Sequence, residues 1–122
     1  MFAVEVEHSF SSAHYLRNYK GKCEALHGHN WRVRALVVGR TLEKNGLLLD
    51  FGELKKCLKM VLEELDHKVI NEVPYFKKIN PTSENIAKFI FVRLNKHLQM
   101  RKCRLKKITV WETDTSSATY YR

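Results

Sequence analysis

Two histidines separated by a single glycine, His27 and His29, carry the clearest chemical signal in this sequence. In an extended chain, residues i and i+2 point to the same face, so the two imidazoles would project side by side. His14, at the end of an alternating stretch, adds a third imidazole, and Cys23 lies shortly before His27. Three neutral imidazoles with a free fourth position are typical of a catalytic zinc ion. The pattern predicts a zinc site, with Cys23 either as a structural fourth ligand or as a separate thiol.

The polar loop over residues 15–26 contains this thiol. Free cysteines often pack as small buried side chains, but Lys20 and Lys22 flank Cys23 and favour its thiolate form. If Cys23 binds the metal, its replacement by alanine should abolish zinc retention. If Cys23 is catalytic, zinc should remain bound and turnover should stop.

Three other residues combine with these in a catalytic interpretation. Asp66 and His67 follow a predicted helix, either as a charge pair at its end or as a carboxylate that orients an imidazole for proton transfer. Glu112 continues the apolar face of a predicted strand, where an unpaired carboxylate is costly. It is either a residue at the strand edge or an acceptor for the N–H and amino groups of a heterocycle.

The elements that must position these residues follow from hydrophobic periodicity. Apolar side chains alternate from Phe2 to Phe10 and from Trp31 to Val37, which predicts two strands. Helical spacing predicts one helix over 53–65 and a second after Thr82 or Ser83, either of which is a suitable N-cap. Residues 108–110 and 118–122 complete the pattern as strands. The order ββααββ predicts an α+β fold, an antiparallel sheet with two helices on one face.

Composition limits the classes of function. A chain of 122 residues predicts one domain, 1–122, that is small for a deep cleft, which favours a site shared between subunits. Three cysteines at irregular spacing indicate a cytoplasmic protein without a disulfide framework. None of the apolar runs is long enough to predict a membrane span. The net charge of +9 favours polyanionic ligands, including a substrate with several phosphates. The basic run over 101–107 is best explained as a solvated face, so we expect no nucleic-acid partner; a zinc-stabilised nucleic-acid-binding module is the non-enzymatic alternative.

Several motifs of the chain, taken in order, resemble the 6-pyruvoyl-tetrahydropterin synthase superfamily along essentially its whole length. They are His14, Cys23-x-x-x-His27-Gly28-His29, Leu49-Asp50-Phe51, Leu65-Asp66-His67, Asn80-Pro81-Thr82-Ser83-Glu84-Asn85 and Glu112. The three-residue gap between Cys23 and His27 is similar to that of the 6-carboxy-5,6,7,8-tetrahydropterin synthases of queuosine biosynthesis.

The resemblance implies the tunnelling fold, in which three subunits close a barrel and two trimers commonly stack into a homohexamer. It implies zinc on His14, His27 and His29. It also implies that Cys23 is the catalytic thiolate, working with Asp66 and His67 of a neighbouring subunit. The pterin would be anchored by Glu112 and lined by the stretch Thr82, Ser83 and Glu84.

The same resemblance implies a lyase that acts on 7,8-dihydroneopterin triphosphate. The expected product is 6-carboxy-5,6,7,8-tetrahydropterin, with loss of triphosphate and acetaldehyde. Glu24 directly follows Cys23, and in a related branch a glutamate near this place replaces the cysteine. That branch cleaves the side chain to 6-hydroxymethyl-7,8-dihydropterin for folate synthesis. This cleavage and 6-pyruvoyl-tetrahydropterin synthesis are therefore the alternative reactions, with Glu24 as a further substrate contact.

Overall fold

Four antiparallel strands in the order β1-β2-β3-β4 form the framework of the computed structural model, which describes all residues from Met1 to Arg122. The elements in chain order are β1 (Phe2–His14), β2 (His27–Gly39), α1 (Phe51–Leu62), α2 (Ser83–Leu98), β3 (Cys103–Thr113) and β4 (Ser116–Tyr121). Two short 3-10 helices, Ile70–Glu72 and Pro74–Phe76, lie between α1 and α2. Both α-helices contact the sheet and each other, so the predicted α+β order ββααββ is confirmed.

The long hairpin of β1 and β2 follows the predicted alternation. In β2, Trp31, Val33, Ala35 and Val37 are all fully buried, while the residues between them are partly exposed. The hairpin register pairs His14 with His27 and Ser12 with His29. The end of β1 and the beginning of β2 therefore lie side by side, and this register places His14 beside the pair of His27 and His29.

The helices close one hydrophobic core of 26 buried residues. Helix α1 begins after Asp50, whose side chain accepts the Glu53 N–H, and it buries Leu54 and Leu58 against the sheet. Helix α2 begins after Thr82, whose hydroxyl accepts the Asn85 N–H, so the predicted N-cap is confirmed.

The predicted end of the first helix was wrong. Helix α1 ends at Leu62, and the chain then turns towards β1. Leu65 is fully buried, and its carbonyl accepts a hydrogen bond from the Ser12 hydroxyl. The His67 N–H donates to the Ser11 carbonyl at 2.6 Å, and the Ala13 N–H donates to the Lys68 carbonyl at 3.0 Å. These contacts with a distant strand replace the last predicted helical turn.

The final hairpin also departs from the simple alternation. Strand β4 begins at Ser116 rather than at residue 118. The pairing passes from Trp111–Ser117 to Thr113–Ser116, so Glu112 is the extra residue of a β-bulge. A bulge bends its strand and redirects a side chain, which here determines the direction of the Glu112 carboxylate.

Strands β1 and β4 are the two edges of the sheet. Residues 67–69 cover only the last part of β1, through the contacts described above and a parallel bridge between Ala13 and Val69. The rest of β1 and the outer side of β4 have no strand partner within the chain. None of the helices is both long and apolar enough to cross a membrane.

Candidate metal centre and active site

The three predicted metal ligands come together where β1 ends and β2 begins. The ring centroids are 4.7 Å apart for His14 and His27, 5.4 Å for His14 and His29, and 4.9 Å for His27 and His29. One ligand atom from each histidine and one carboxylate oxygen of Glu112 all lie within 4.8 Å of one another. This group can therefore hold one metal ion.

Hydrogen bonds to backbone carbonyls orient two of the rings. The Nδ1 atom of His14 lies 2.8 Å from the Pro81 carbonyl, and that of His27 lies 2.9 Å from the Ala25 carbonyl. Because a carbonyl only accepts, each Nδ1 carries the proton and each Nε2 keeps its lone pair. The buried Nε2 atoms of His14 and His29 have no hydrogen-bond partner. Buried imidazole nitrogens without a hydrogen-bond partner, in a group whose ligand atoms lie this close together, fit a zinc ion.

Burial keeps His14 neutral, which is the form that binds a metal. Only 2% of this residue is exposed, and desolvation lowers the pKa of its imidazole despite the opposing effects of the Pro81 carbonyl and Glu112. The ring of Trp31 packs nearly perpendicular to those of both His14 and His29, with centroids at 4.8 and 5.2 Å. The Trp31 indole N–H donates to the Ser12 carbonyl at 3.1 Å, so the wall behind the metal ligands is fixed.

The bulge in β3 brings Glu112 to this centre. Its Oε1 lies 2.9 Å from Nε2 of His29 and 3.7 Å from Nε2 of His14, and neither pair is aligned as a hydrogen bond. Its Oε2 accepts a hydrogen bond of 3.0 Å from the Ser83 hydroxyl at the first residue of α2. The structure therefore places Glu112 and Ser83 together at the metal centre.

Cys23 and Glu24 lie on the loop that leads into His27. The Cys23 side chain is exposed, and together with Lys20, Lys22, Glu24 and His27 it borders an open cavity of about 390 Å³. The Glu24 carboxylate is partly buried and accepts the Leu16 N–H at 3.0 Å. The thiol is thus accessible beside the first ligand of the hairpin, whereas the neighbouring carboxylate is already bonded to the backbone.

Asp66 and His67 form a pair on the outer edge of β1. Asp66 Oδ2 lies 2.9 Å from His67 Nδ1, and Oδ1 accepts the Ser11 N–H at 2.9 Å. The Ser11 N–H and His67 together hold the pKa of Asp66 below its ordinary value. The His67 side chain is 81% exposed, and its backbone adopts a positive φ of 55°. No hydrogen bond or ion pair joins this pair to Cys23 or to the metal centre within one chain.

The three residues of the predicted pterin-lining stretch have different positions relative to the metal centre. Thr82 serves as the N-cap of α2, and Glu84 is exposed with no hydrogen bond or ion pair to the centre, so only Ser83 reaches Glu112. The structure also gives a role near the site to two asparagines for which the sequence predicted no contact. Asn71 and Asn80 bind the backbone of the segment after His14, and a lone asparagine in a loop does not reveal such a distant partner.

Comparisons with known proteins show which family the whole chain resembles. The sequence profile described as "6-pyruvoyl tetrahydropterin synthase" matches residues 3–122. A 6-carboxy-5,6,7,8-tetrahydropterin synthase of Haemophilus influenzae is 33% identical, over 98% of this chain and 99% of that protein. The human 6-pyruvoyl tetrahydrobiopterin synthase is 35% identical, over 92% and 86%. The solved structure of the Caenorhabditis elegans 6-pyruvoyl tetrahydropterin synthase superposes with a TM-score of 0.86 at 28% identity, covering 99% of this chain and 95% of that one.

Proposed function

The chain belongs to the 6-pyruvoyl tetrahydropterin synthase family, and on that premise we propose that it is a zinc-dependent lyase acting on 7,8-dihydroneopterin triphosphate. With the uptake of one water molecule, the proposed products are 6-carboxy-5,6,7,8-tetrahydropterin, triphosphate and acetaldehyde. The observation that carries the proposal is the group of three imidazoles that can hold a metal ion beside an accessible thiol. The Haemophilus influenzae relative, which matches nearly end to end, supports this choice of product.

In this proposal His14, His27 and His29 hold the zinc ion, and Glu112 remains free to bind the pterin. Zinc supplies Lewis acidity, which makes protons near a coordinated hydroxyl or carbonyl group easier to remove. A carboxylate can accept two parallel N–H bonds from a pterin ring, and the Ser83 hydroxyl steadies the Glu112 oxygen that it contacts. The pterin would then be fixed with its side chain towards the histidines.

Proton movement is assigned to Cys23, Asp66 and His67. The thiolate of Cys23 takes a proton from the substrate side chain, and His67 accepts or returns protons opposite it. Because the low pKa of Asp66 keeps its carboxylate charged, it holds the proton on His67 Nδ1 and leaves Nε2 available for exchange. The exposure of His67 fits a group that meets the substrate of another subunit.

The assembly we propose is a trimer that closes a barrel, or two such trimers stacked as a hexamer. Strands β1 and β4 leave long stretches of unpaired backbone, which proteins normally pair or cover. Pairing the free edge of β1 with β4 of another copy would satisfy both edges. It would also bring the pair on the outer edge of β1 towards a neighbour.

A second reaction, formation of 6-pyruvoyl-tetrahydropterin, is favoured by the human relative, which is about as similar as the carboxy synthases. The deciding experiment is to incubate the zinc-loaded protein with 7,8-dihydroneopterin triphosphate and to identify the pterin by mass spectrometry. We expect the 6-carboxy product with trapped acetaldehyde, and none from Cys23→Ala with zinc still bound. Detection of the 6-pyruvoyl or 6-hydroxymethyl pterin would contradict the proposed product. Unchanged substrate together with salt-dependent RNA binding would contradict the proposal that the protein is an enzyme.

A further inference from the structure

Two lysines without a charged partner, Lys20 and Lys22, lie on the loop that joins β1 to β2. Both side chains are exposed, and neither ammonium group makes a hydrogen bond or an ion pair within the chain. The Nζ atom of Lys20 lies 5.4 Å from the centre of the Tyr19 ring. Arg17, the other cation of this loop, instead donates to two backbone carbonyls. The two lysines are therefore the cations of the loop that are free to bind an anion.

A tight turn over residues 19–22 holds the two lysines close together. The Lys22 N–H donates to the Tyr19 carbonyl at 3.2 Å, and the central residues Lys20 and Gly21 have φ angles of 52° and 82°. Positive φ at both central residues is the pattern of a type I′ turn, in which glycine, asparagine and aspartate are preferred. A lysine in this region of backbone space is uncommon, and such strained residues concentrate at functional sites. The costly placement of Lys20 is explained if its charge binds a ligand.

The same turn borders the open cavity of about 390 Å³ beside the metal centre. Lys20 and Lys22 line this cavity together with Cys23 and His27. Glu24 contributes the one carboxylate on its border. Two ammonium groups against one carboxylate give the cavity a positive balance, which favours an anionic ligand.

This cavity and the proposed pterin anchor lie against different histidines of the metal centre. The Glu112 carboxylate lies 2.9 Å from Nε2 of His29 and 3.7 Å from Nε2 of His14, and it forms no such close pair with His27. His27 is the histidine that borders the cavity. A pterin held by Glu112 with its side chain over the histidines would therefore direct the end of that side chain into the cavity. In the proposed substrate, this end carries the triphosphate.

We propose, resting on the proposed function, that Lys20 and Lys22 bind the triphosphate group of the substrate in the cavity beside His27. Lysine ammonium groups bind phosphate oxygens as mobile point charges, which suits a flexible triphosphate chain. Glu112 then recognises the pterin ring, and the two lysines select for the pterin that carries several phosphates. They bind the substrate and exchange no proton with it.

Two substitutions remove these charges with little change to the loop. Lys20→Asn introduces a residue that tolerates positive φ and is preferred in this turn, whereas Lys22→Gln keeps a polar side chain. Lys56→Gln, at an exposed position of α1, controls for the loss of one positive charge. The zinc-loaded oligomer of each variant is titrated with inorganic triphosphate and, separately, with 7,8-dihydroneopterin, which has no phosphate. KM for 7,8-dihydroneopterin triphosphate, zinc content and melting temperature are measured on the same samples.

In each single variant we expect the Kd for inorganic triphosphate and the KM for the substrate to rise about fivefold, as for one exposed charge pair. The double variant Lys20→Asn/Lys22→Gln should show a rise of about twentyfold, because the two contacts are separate. The Kd for 7,8-dihydroneopterin should not change, since this ligand lacks the phosphates. The melting temperature of Lys20→Asn should not fall, because asparagine suits the turn.

Three results would overturn the inference. The first is an unchanged Kd for inorganic triphosphate in the double variant. The second is an equal rise in Lys56→Gln, which would show that net charge alone attracts the anion. The third is an equal loss of affinity for 7,8-dihydroneopterin, which would assign the lysines to the pterin or to the loop structure.

The titrations also separate this inference from the proposed function. Because zinc itself binds triphosphate, the variants are compared with the wild type at equal zinc content. If the wild type neither binds nor converts the pterin, the proposed function fails. A Kd for inorganic triphosphate that still depends on Lys20 and Lys22 would then keep the cavity as a polyphosphate site, whereas a Kd independent of them would overturn that site as well.

Discussion

Two inactive variants of this protein should restore each other's activity when they assemble together. Cys23 lies on the loop before β2, whereas Asp66 and His67 lie on the outer edge of β1, and no hydrogen bond or ion pair joins them within one chain. If the active site combines Cys23 of one subunit with His67 of its neighbour, Cys23→Ala and His67→Ala remove different halves of it. A mixed oligomer then contains some sites with both residues intact.

The size of the expected recovery follows because each chain contributes Cys23 to one active site and His67 to a neighbouring one. In a randomly assembled equal mixture, half of the chains offer an intact Cys23 and half offer an intact His67. About a quarter of the sites therefore receive both, and the mixture should show about a quarter of the wild-type activity. If both residues acted within one chain, every site would lack one of them and activity would stay at background.

The assay is triphosphate release by oligomers obtained by co-expressing the two variants in equal amounts and purifying them through a tag that both variants carry, so that the whole random mixture is retained. A control mixes the wild-type chain with the double variant Cys23→Ala/His67→Ala. A shared site again predicts about a quarter of the activity, whereas a site within one chain predicts about half. Background activity in the first mixture together with half activity in the second would refute the shared site.

Two further predictions test the metal centre and the acidic residue at the edge of β1. Glu112→Gln should keep full zinc content but weaken pterin binding by about tenfold or more, whereas His14→Ala should lose zinc. Zinc content is measured by atomic absorption. Equal zinc loss in both variants would show that Glu112 is a zinc ligand. Asp66→Asn should lower the free energy of unfolding at neutral pH by up to about 1 kcal/mol, since water screens a carboxylate at this edge. Because folding lowers the pKa of Asp66, its stabilisation is present above about pH 4 and is lost on acidification. Urea unfolding at pH 7 and pH 3 should therefore show a difference in the free energy of unfolding between wild type and Asp66→Asn that becomes smaller in acid. Asp114→Asn, at an exposed position, is the control. A difference that is the same at both pH values would contradict the pKa argument.

Local rules were sufficient for the parts of the site that lie on regular strands and at helix starts. The period-two alternation placed His27 and His29 on one face, because residues two apart in a strand share a side. The cap at Thr82 was predictable, because its hydroxyl binds an N–H only three residues away. The disposition of these residues was therefore contained in short stretches of the sequence.

Contacts between distant residues decided the rest. The β-bulge that directs Glu112 at the histidines depends on how β3 pairs with β4, so the residue pattern of β3 alone does not predict it. Helix α1 stops early because residues 65–68 bind β1, more than fifty positions earlier in the chain. The Glu24 carboxylate looked available in the sequence, and only the folded loop showed that Leu16 already occupies it. The sequence alone thus determined which groups are available for the proposed chemistry, whereas the tertiary structure decided which of them face one another.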